Sequence, residues 1–452
     1  MKQYNINKSL CFLFLGLCFI TTQSFAQESY LLKDLRIPQV AQENPGAVIP
    51  YDAHVSFPGL GKVQAGVNLP FSPFSISTDM YKKMRKRNSI RVWEEWNPIH
   101  FGFRNGKNYF SITTALKTDC SINFQKDLIG LFVEGNDREK NEVLSFVKND
   151  FISFNSYAEI GVGYNREVNE NFSFGFNVKY LLGFLNAYTK KAEMTLTTGE
   201  NYHELILNST MQGNVACVYD IIGDYENKDF TAADVFQNHG FSFDLGGRYK
   251  INDIFEISAS VLDIGFIKWK SNPYKFNVEG DPFYINGYQS TNIFEDFADK
   301  GLESAFKEYF KELGDSLQTN FSSELEKSSS YIKCLNTRFN IGFSIYASPK
   351  DRFNLNFKGI FINNVFVPSG SVSYTRNVGK WFDVVVGNTF KQSSLLNPGL
   401  GVNFTLNVFQ LYALVDYANN FIYIDRMKNV NLIFGVNFVA PLAKKIKASY
   451  PY

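Results

Sequence analysis

The stretch NREVNENFSFGFNVKYLLGF, residues Asn165–Phe184, decides the fold. After a polar, turn-like run, Phe172, Phe174, Phe176, Val178, Tyr180 and Leu182 fall on every second position, with Ser173, Gly175, Asn177 and Lys179 between the first five. Successive side chains of a strand point to opposite faces, so this segment reads as a strand with one aromatic face and one polar face. A half-buried strand of a soluble sheet has the same period. The assignment therefore depends on how often the pattern recurs and on what precedes it.

What precedes it is an export signal. Lys2 and Lys8 give a basic start, Leu10–Ile20 is an apolar core of 11 residues, and Ser24-Phe25-Ala26 is a small-x-small cleavage site, so residues 1–26 read as a cleaved signal peptide. An apolar run of that length is too short to span a bilayer. Gln27, not Cys, follows the cut, which argues against a lipid-anchored lipoprotein. Cleavage removes two lysines and no acids, taking the net charge from +1 to −1. A near-neutral chain lacks the clustered basic charge that nucleic acid requires. Cys120, Cys217 and Cys334 remain after cleavage, and three cysteines do not make a disulfide framework. The mature chain holds no apolar run near the ~18 residues of a spanning helix. It is nevertheless 16% aromatic, with 45 Phe and 25 Tyr in the whole sequence. Export, alternating aromatic strands and the lack of membrane helices point to the outer membrane, where a closed barrel satisfies every backbone hydrogen bond.

The same alternation recurs along the chain. Val430–Phe438, Phe409–Tyr417 and Leu400–Val408 carry it, and Trp381–Phe390 pairs with Ser371–Arg376 across Asn377–Lys380. Phe353–Phe357 pairs with Phe339–Ile345 across Ser348–Asp351, Phe255–Val261 with Phe241–Tyr249 across Asn252-Asp253, and Phe172–Phe184 with Ile152–Tyr164 across Asn165–Asn171. Val63–Phe71, Ile99–Arg104 and Asn108–Leu116 supply three more, the last two joined by an Asn105-Gly106 hairpin turn. The expected fold is all-β: a transmembrane antiparallel β-barrel of about fourteen strands over residues 51–440, an even number that leaves both termini on the periplasmic side. Connections on the other side are mostly longer: 185–240, 268–336, 363–369, 391–398 and 418–428. A soluble β-sandwich, the competing architecture, has no reason to alternate short turns with long loops.

Three segments do not read as wall. Residues 27–50 are polar with three prolines and are expected to fold into the lumen as an N-terminal plug. Within a long outer loop, 288–335, Phe294, Leu302, Phe306, Phe310, Leu313 and Leu317 have the spacing of one or two amphipathic helices across Asn292–Lys327. Thr78–Arg87 carries five basic residues and reads as a solvated loop, with an anionic glycolipid head group as the sharper alternative. If the aromatic faces meet lipid, then Lys179, Asp244, Arg248, Lys250, Asn340, Asn354, Asn356, Lys358, Asn403 and Asn407 point into the lumen, either as structural filling or as a polar path. Asp244 and Arg248 are too far apart along one strand to touch, so each needs a neighbour on another strand. The histidines His54, His100, His203 and His239 occur in no nucleophile-elbow or metal-ligand motif, so neither catalysis nor a metal or other cofactor is expected. An embedded hydrolase is the weakest of the readings.

Gln42–Ala47, Phe57–Gly61, Asp127–Asn136, Lys179–Ala187 and above all Asp244–Trp269 resemble a family of Bacteroidota outer-membrane proteins catalogued as domain of unknown function 5723. The family's Asn-Pro-Ala stands here as Asn44-Pro45-Gly46, with Ala47 one step later, and Asn44 and Pro45 are the plug motif that the resemblance marks. More distantly, the layout is similar to outer-membrane long-chain fatty-acid transporters and to the shuttle barrel of type IX secretion. That similarity implies passage or presentation of a hydrophobic small molecule, or else a non-transporting barrel that docks a surface or secretion-system protein. Gly435, Phe438 and Ala440 resemble the C-terminal signal read by barrel-assembly machinery, followed by a periplasmic tail, 441–452. The implied partners are thus outer-membrane lipid, that machinery and one of these two ligands.

Overall fold

The computed structural model describes residues 31–72, 78–134, 143–198, 204–218, 236–279, 283–286, 323–362, 365–391, 395–419 and 427–442. The expected signal peptide lies outside the described residues, as do 287–322, where most of the expected outer-loop helices fall, and 443–452 of the expected tail.

The wall has fourteen strands. They are β1 (Tyr51–Ser56 continued by Lys62–Asn68), β2 (Arg87–Asn97 continued by His100–Asn105), β3 (Asn108–Gln125), β4 (Ile152–Glu167), β5 (Phe172–Thr198), β6 (His239–Lys250) and β7 (Phe255–Trp269). The second half is β8 (Tyr331–Cys334 continued by Arg338–Tyr346), β9 (Asp351–Ile362), β10 (Val365–Val378), β11 (Phe382–Lys391), β12 (Pro398–Leu406), β13 (Phe409–Asp416) and β14 (Asn429–Pro441). Every neighbour pairs antiparallel, and β14 returns to β1 through Tyr51↔Pro441 and Val63↔Phe434, so the sheet closes on itself. Closure removes the unpaired edges that an open sheet presents.

Burial runs opposite to that of a soluble protein. On β5 the aromatic face is exposed (Phe172 39%, Phe176 39%), whereas Ser173 is 2% and Lys179 5% exposed. The same inversion holds on β6 at Phe241 and Phe243 against Ser242 and Asp244, and on β9 at Phe353, Leu355 and Phe357 against Asn354, Asn356 and Lys358. A continuous apolar exterior around a polar interior is the arrangement that a bilayer selects. Phe176→Lys is therefore expected to cost about 2–4 kcal/mol of folding free energy in lipid, as a cation does near the bilayer midplane. Denaturant unfolding in vesicles measures it, and a change below ~0.5 kcal/mol would put Phe176 on the wrong face.

Six short connections lie at one end, including Gly106 in left-handed conformation (φ 60°) and a two-residue turn between β12 and β13. At the other end the expectation of loops needs correction. β5 runs on to Thr198, and there it pairs with Val143–Asn149 and Glu204–Cys217. Glu204–Cys217 in turn pairs with Pro273–Glu279 and Phe283–Asn286, and Pro273–Glu279 with Ser323–Lys327. Much of what reads as loop in 185–240 and 268–336 is a β-extension of the wall. With solvent in place of lipid outside, the apolar-polar alternation that marks the belt disappears. Ser323–Lys327, inside the expected helical stretch, is likewise strand. The connection at 363–369 is not long either, because Ile362 pairs with Val365. The first wall strand starts at Tyr51, not Val63, and Thr78–Lys83 is a short helix within the expected basic loop.

Residues 31–50 lie inside the barrel. They form a 3₁₀ turn (Leu32–Asp34), a short helix α1 (Val40–Glu43) and extended backbone. Leu31, Leu32, Leu35, Ile37, Val40 and Ile49 are buried with Val385, Tyr412, Leu414, Ile433 and Val439 of the wall. The β11–β14 side of the lumen therefore carries an apolar patch, set among buried polar residues such as Asp383, Asn403 and Gln410.

Candidate functional site

The opposite side of the lumen is charged. Lys179 Nζ lies 2.7 Å from Asp244 and 2.8 Å from Asp263. Lys117 reaches Glu159 at 2.9 Å and Asp263 at 3.7 Å. Arg338 meets Asp263 at 2.7 Å and Glu43 at 3.7 Å, and Lys358 meets Glu43 at 2.6 Å. One continuous chain thus links four cations (Lys117, Lys179, Arg338, Lys358) with four carboxylates (Glu43, Glu159, Asp244, Asp263). Beside it, Lys62 pairs with Glu95 at 2.9 Å. Buried charge is tolerated only when it is compensated in this way. A cavity of about 20 Å³ remains among Glu43, Lys62, Lys117, Lys179, Asp244 and Arg338, room for a single water.

A β-bulge creates the centre of this network. Phe243 pairs with Ile264 but Leu245 with Val261, so β7 has two residues, Leu262 and Asp263, opposite Asp244. Asp263 adopts φ 57°, a left-handed conformation that Asp tolerates better than most residues. Its backbone N–H donates to Asp244 Oδ1 at 2.8 Å. The outward residues of β7 accordingly switch from odd (Ile257) to even (Ile264, Phe266) across the bulge.

Glu43 is the carboxylate that the luminal segment contributes to this network. Burial pushes its pKa up, but Lys358, Arg338 and Lys62 more than offset that and hold it at about 2. A carboxyl below its unfolded value of about 4.3 contributes stability that is fully present above that pH. That contribution is lost as pH falls through about 2. A fluorophore at Ala41 should therefore report an unchanged environment from pH 8 to about 5 and a transition only in the acid range below about 4. Release near neutrality would contradict the pairing.

The wall is carved to seat the segment. Asn44 makes a tight turn, its Oδ1 accepting from the Gly46 N–H at 2.8 Å and its Nδ2 donating to the Gly247 carbonyl at 3.1 Å. A Cβ on Gly246 would lie 2.9 Å from Pro45 Cδ and closer still to Asn44 Oδ1, and one on Gly175 would collide with the Pro45 carbonyl. Leu31 and Lys33 likewise occupy niches left by Gly387, Gly399 and Gly342. At the short-turn end Arg36 is ion-paired with Asp383 and donates to the Gly379 carbonyl at 2.9 Å.

Of the sequence candidates, Lys179, Asp244 and Lys358 join the network. Asn340 donates to the Glu43 carbonyl at 3.1 Å and Asn403 to Asp383 at 2.7 Å. Asn354 and Asn356 bond to Ser373 and Ser371 of β10, at 3.2 and 3.3 Å. The neighbour that Arg248 needed is Glu256, at 2.7 Å. Lys250 sits at the rim, paired with the exposed Asp253 at 2.7 Å. Asn407 is a correction: it is exposed in the β12–β13 turn at φ 54°, outside the lumen, because the strand alternation ends at Leu406. Lys62, Glu95, Lys117, Glu159, Asp263 and Arg338 were missed. Lys117 and Glu159 follow the inward parity of their strands, whereas Asp263 lies past a break in parity. The rings of His54 and His100 meet edge to face, with centroids 4.3 Å apart, inside the wall, His239 bonds to Tyr180 at 2.7 Å, and His203 lies outside the described residues. None of the three described cysteines forms a disulfide among the described residues.

A closed fourteen-stranded wall with lipid-facing aromatics and a charged, occupied lumen defines a transmembrane β-barrel of the outer-membrane class. The chain belongs to a family of unknown function (DUF5723), whose profile matches residues 45–416. No curated protein shows a significant match to the sequence. Among solved structures the chain is similar to the toluene transporter TbuX of Ralstonia pickettii, with a TM-score of 0.48, 9% identity, and 93% of this chain and 100% of that one covered. It is also similar to the toluene transporter TodX of Pseudomonas putida, with a TM-score of 0.44, 7% identity, and 92% and 98% covered. For a Pseudomonas aeruginosa FadL homologue the values are 0.40, 10%, and 90% and 95%.

Proposed function

We propose that this barrel passes or presents a hydrophobic molecule at the outer membrane, with residues 27–50 acting as its plug. The observation that carries this reading is the two-sided lumen. A pore for polar solutes has no use for an apolar track, yet Val385, Tyr412, Leu414, Ile433 and Val439 line one, and the plug's own leucines fill it. A hydrocarbon chain gains the same burial that those leucines gain, about 25 cal/mol per Å². Vesicles containing the protein should take up a lipophilic fluorescent probe faster than protein-free vesicles. Ile433→Asp should reduce that uptake at least tenfold while the folded barrel still migrates differently from boiled protein. Uptake at the protein-free rate by both wild type and a plug-unseating variant would defeat the proposal.

A second reading, a non-transporting barrel that docks a surface or secretion-system protein, is favoured by the β-extension. β5 spans 27 residues, far beyond its aromatic stretch. Crosslinking in cells from Lys190 and Lys191 on that extension tests it, and recovery of no protein partner would count against it.

A further inference from the structure

Besides the side-chain contacts of Arg36, Glu43 and Asn44, the wall holds the luminal segment by its main chain. Ser260 Oγ donates to the Glu43 carbonyl at 2.7 Å, alongside Asn340. Asn165 Nδ2 donates to the carbonyls of Pro45 at 2.7 Å and Ala47 at 3.1 Å, and Ser173 Oγ to that of Gly46 at 2.7 Å. Arg104 reaches the carbonyl of Ile49. Further back, Arg352 donates to the carbonyl of Asp34 at 2.7 Å, and Gln410 and Tyr51 donate to that of Arg36 at 2.9 and 2.8 Å. The side chains of Pro45, Gly46, Ala47 and Val48 carry no polar atom. The wall therefore recognises this stretch by features common to every polypeptide. Gly175 and Gly246 bring the backbones close enough to do so.

A hydrocarbon offers no row of acceptors. Donors buried without acceptors are penalised, so this face, once vacated, favours another row of carbonyls over an apolar molecule. We propose that the face formed by Asn165, Ser173, Gly175, Gly246, Ser260 and Asn340 is a receptor for an extended polypeptide segment. Residues 43–49 occupy it in cis, and a segment of a partner protein takes the same place in trans. The partner segment carries small residues, with glycine at the position of Gly46, because a Cβ there would lie 2.5 Å from Gly247 Cα. This binding is separate from any passage of a hydrophobic molecule and does not require it.

The test vacates the face without touching the wall. In the full-length Gly46→Val protein, a fluorescein-labelled synthetic peptide of residues Pro38–Pro50 should bind, by anisotropy, at least tenfold more tightly than to wild type, whose face is filled. Adding Asn165→Leu should weaken binding at least tenfold. A peptide carrying Ala47→Ser and Val48→Ser should bind within about threefold of the original, because the main chain is what is read. A peptide carrying Gly46→Val should not bind. If Gly46→Val does not yield a heat-modifiable barrel, Asn44→Ala, which removes both the turn's hydrogen bond to Gly46 and the one to the Gly247 carbonyl, replaces it in the same comparison. Absence of saturable binding to the vacated barrel, or equal binding of a scrambled peptide, would overturn the proposal.

Discussion

Asp263→Asn is expected to lower the unfolding free energy by about 3–5 kcal/mol, the penalty typical of removing one partner from a buried ionic network. The substitution keeps the size and shape of the side chain, and Asn tolerates the left-handed φ of 57° at this position. What it deletes is the charge that Lys179, Arg338 and Lys117 share, at 2.8, 2.7 and 3.7 Å. Three cations on one side of the lumen then face one carboxylate fewer. Adding Lys179→Met should restore part of the loss, because the imbalance is one charge. Guanidinium unfolding in lipid vesicles, followed by tryptophan fluorescence, measures both variants. A loss below ~1 kcal/mol for the single variant would mean that water screens the network from outside, and that the lumen is open at this level.

The second large effect is steric. Gly246→Val places methyl groups where Asn44 Oδ1 and Pro45 now sit, while its strand pairings with Gly175 and Ser260 stay available. The wall should survive and the segment should leave its seat, raising uptake of a lipophilic probe or single-channel conductance at least tenfold over wild type. Gly370→Ala is the matched control: its Cβ would make an ordinary contact, 3.5 Å from the Asn356 carbonyl. Equal behaviour of the two variants would remove the segment from any gating role.

The wall was legible because lipid outside and polar groups inside impose a period of two on strand after strand. Its strands at Phe172–Tyr180 and Phe353–Phe357 lie where the alternation places them, with the aromatic face outward. The β-extension was illegible for the same reason. Beyond Leu182 both faces of β5 meet polar surroundings or protein, and stretches such as Lys190-Lys191-Ala192-Glu193 carry no period. In the site, Lys179 and Asp244 followed from parity alone, but their meeting depended on cross-strand register, which no single strand encodes. Asp263 was hidden by the bulge. In hindsight the signal was the shift of apolar residues from odd positions, ending at Val261, to even positions, starting at Ile264. Glu43 was hidden because the luminal segment has no regular period, and nothing local says which of its side chains meets the wall.

The decisive measurement is a spin-label scan across Phe172–Tyr180, one cysteine at a time in a background lacking Cys120, Cys217 and Cys334. Labels at 172, 174, 176 and 178 should relax with lipid-dissolved oxygen. Labels at 173, 175, 177 and 179 should be shielded from both oxygen and a water-soluble nickel chelate, because the segment and the ionic network fill the space beside them. A scan without alternation, or odd positions freely reached by the nickel chelate, would contradict a lipid-embedded barrel with an occupied lumen.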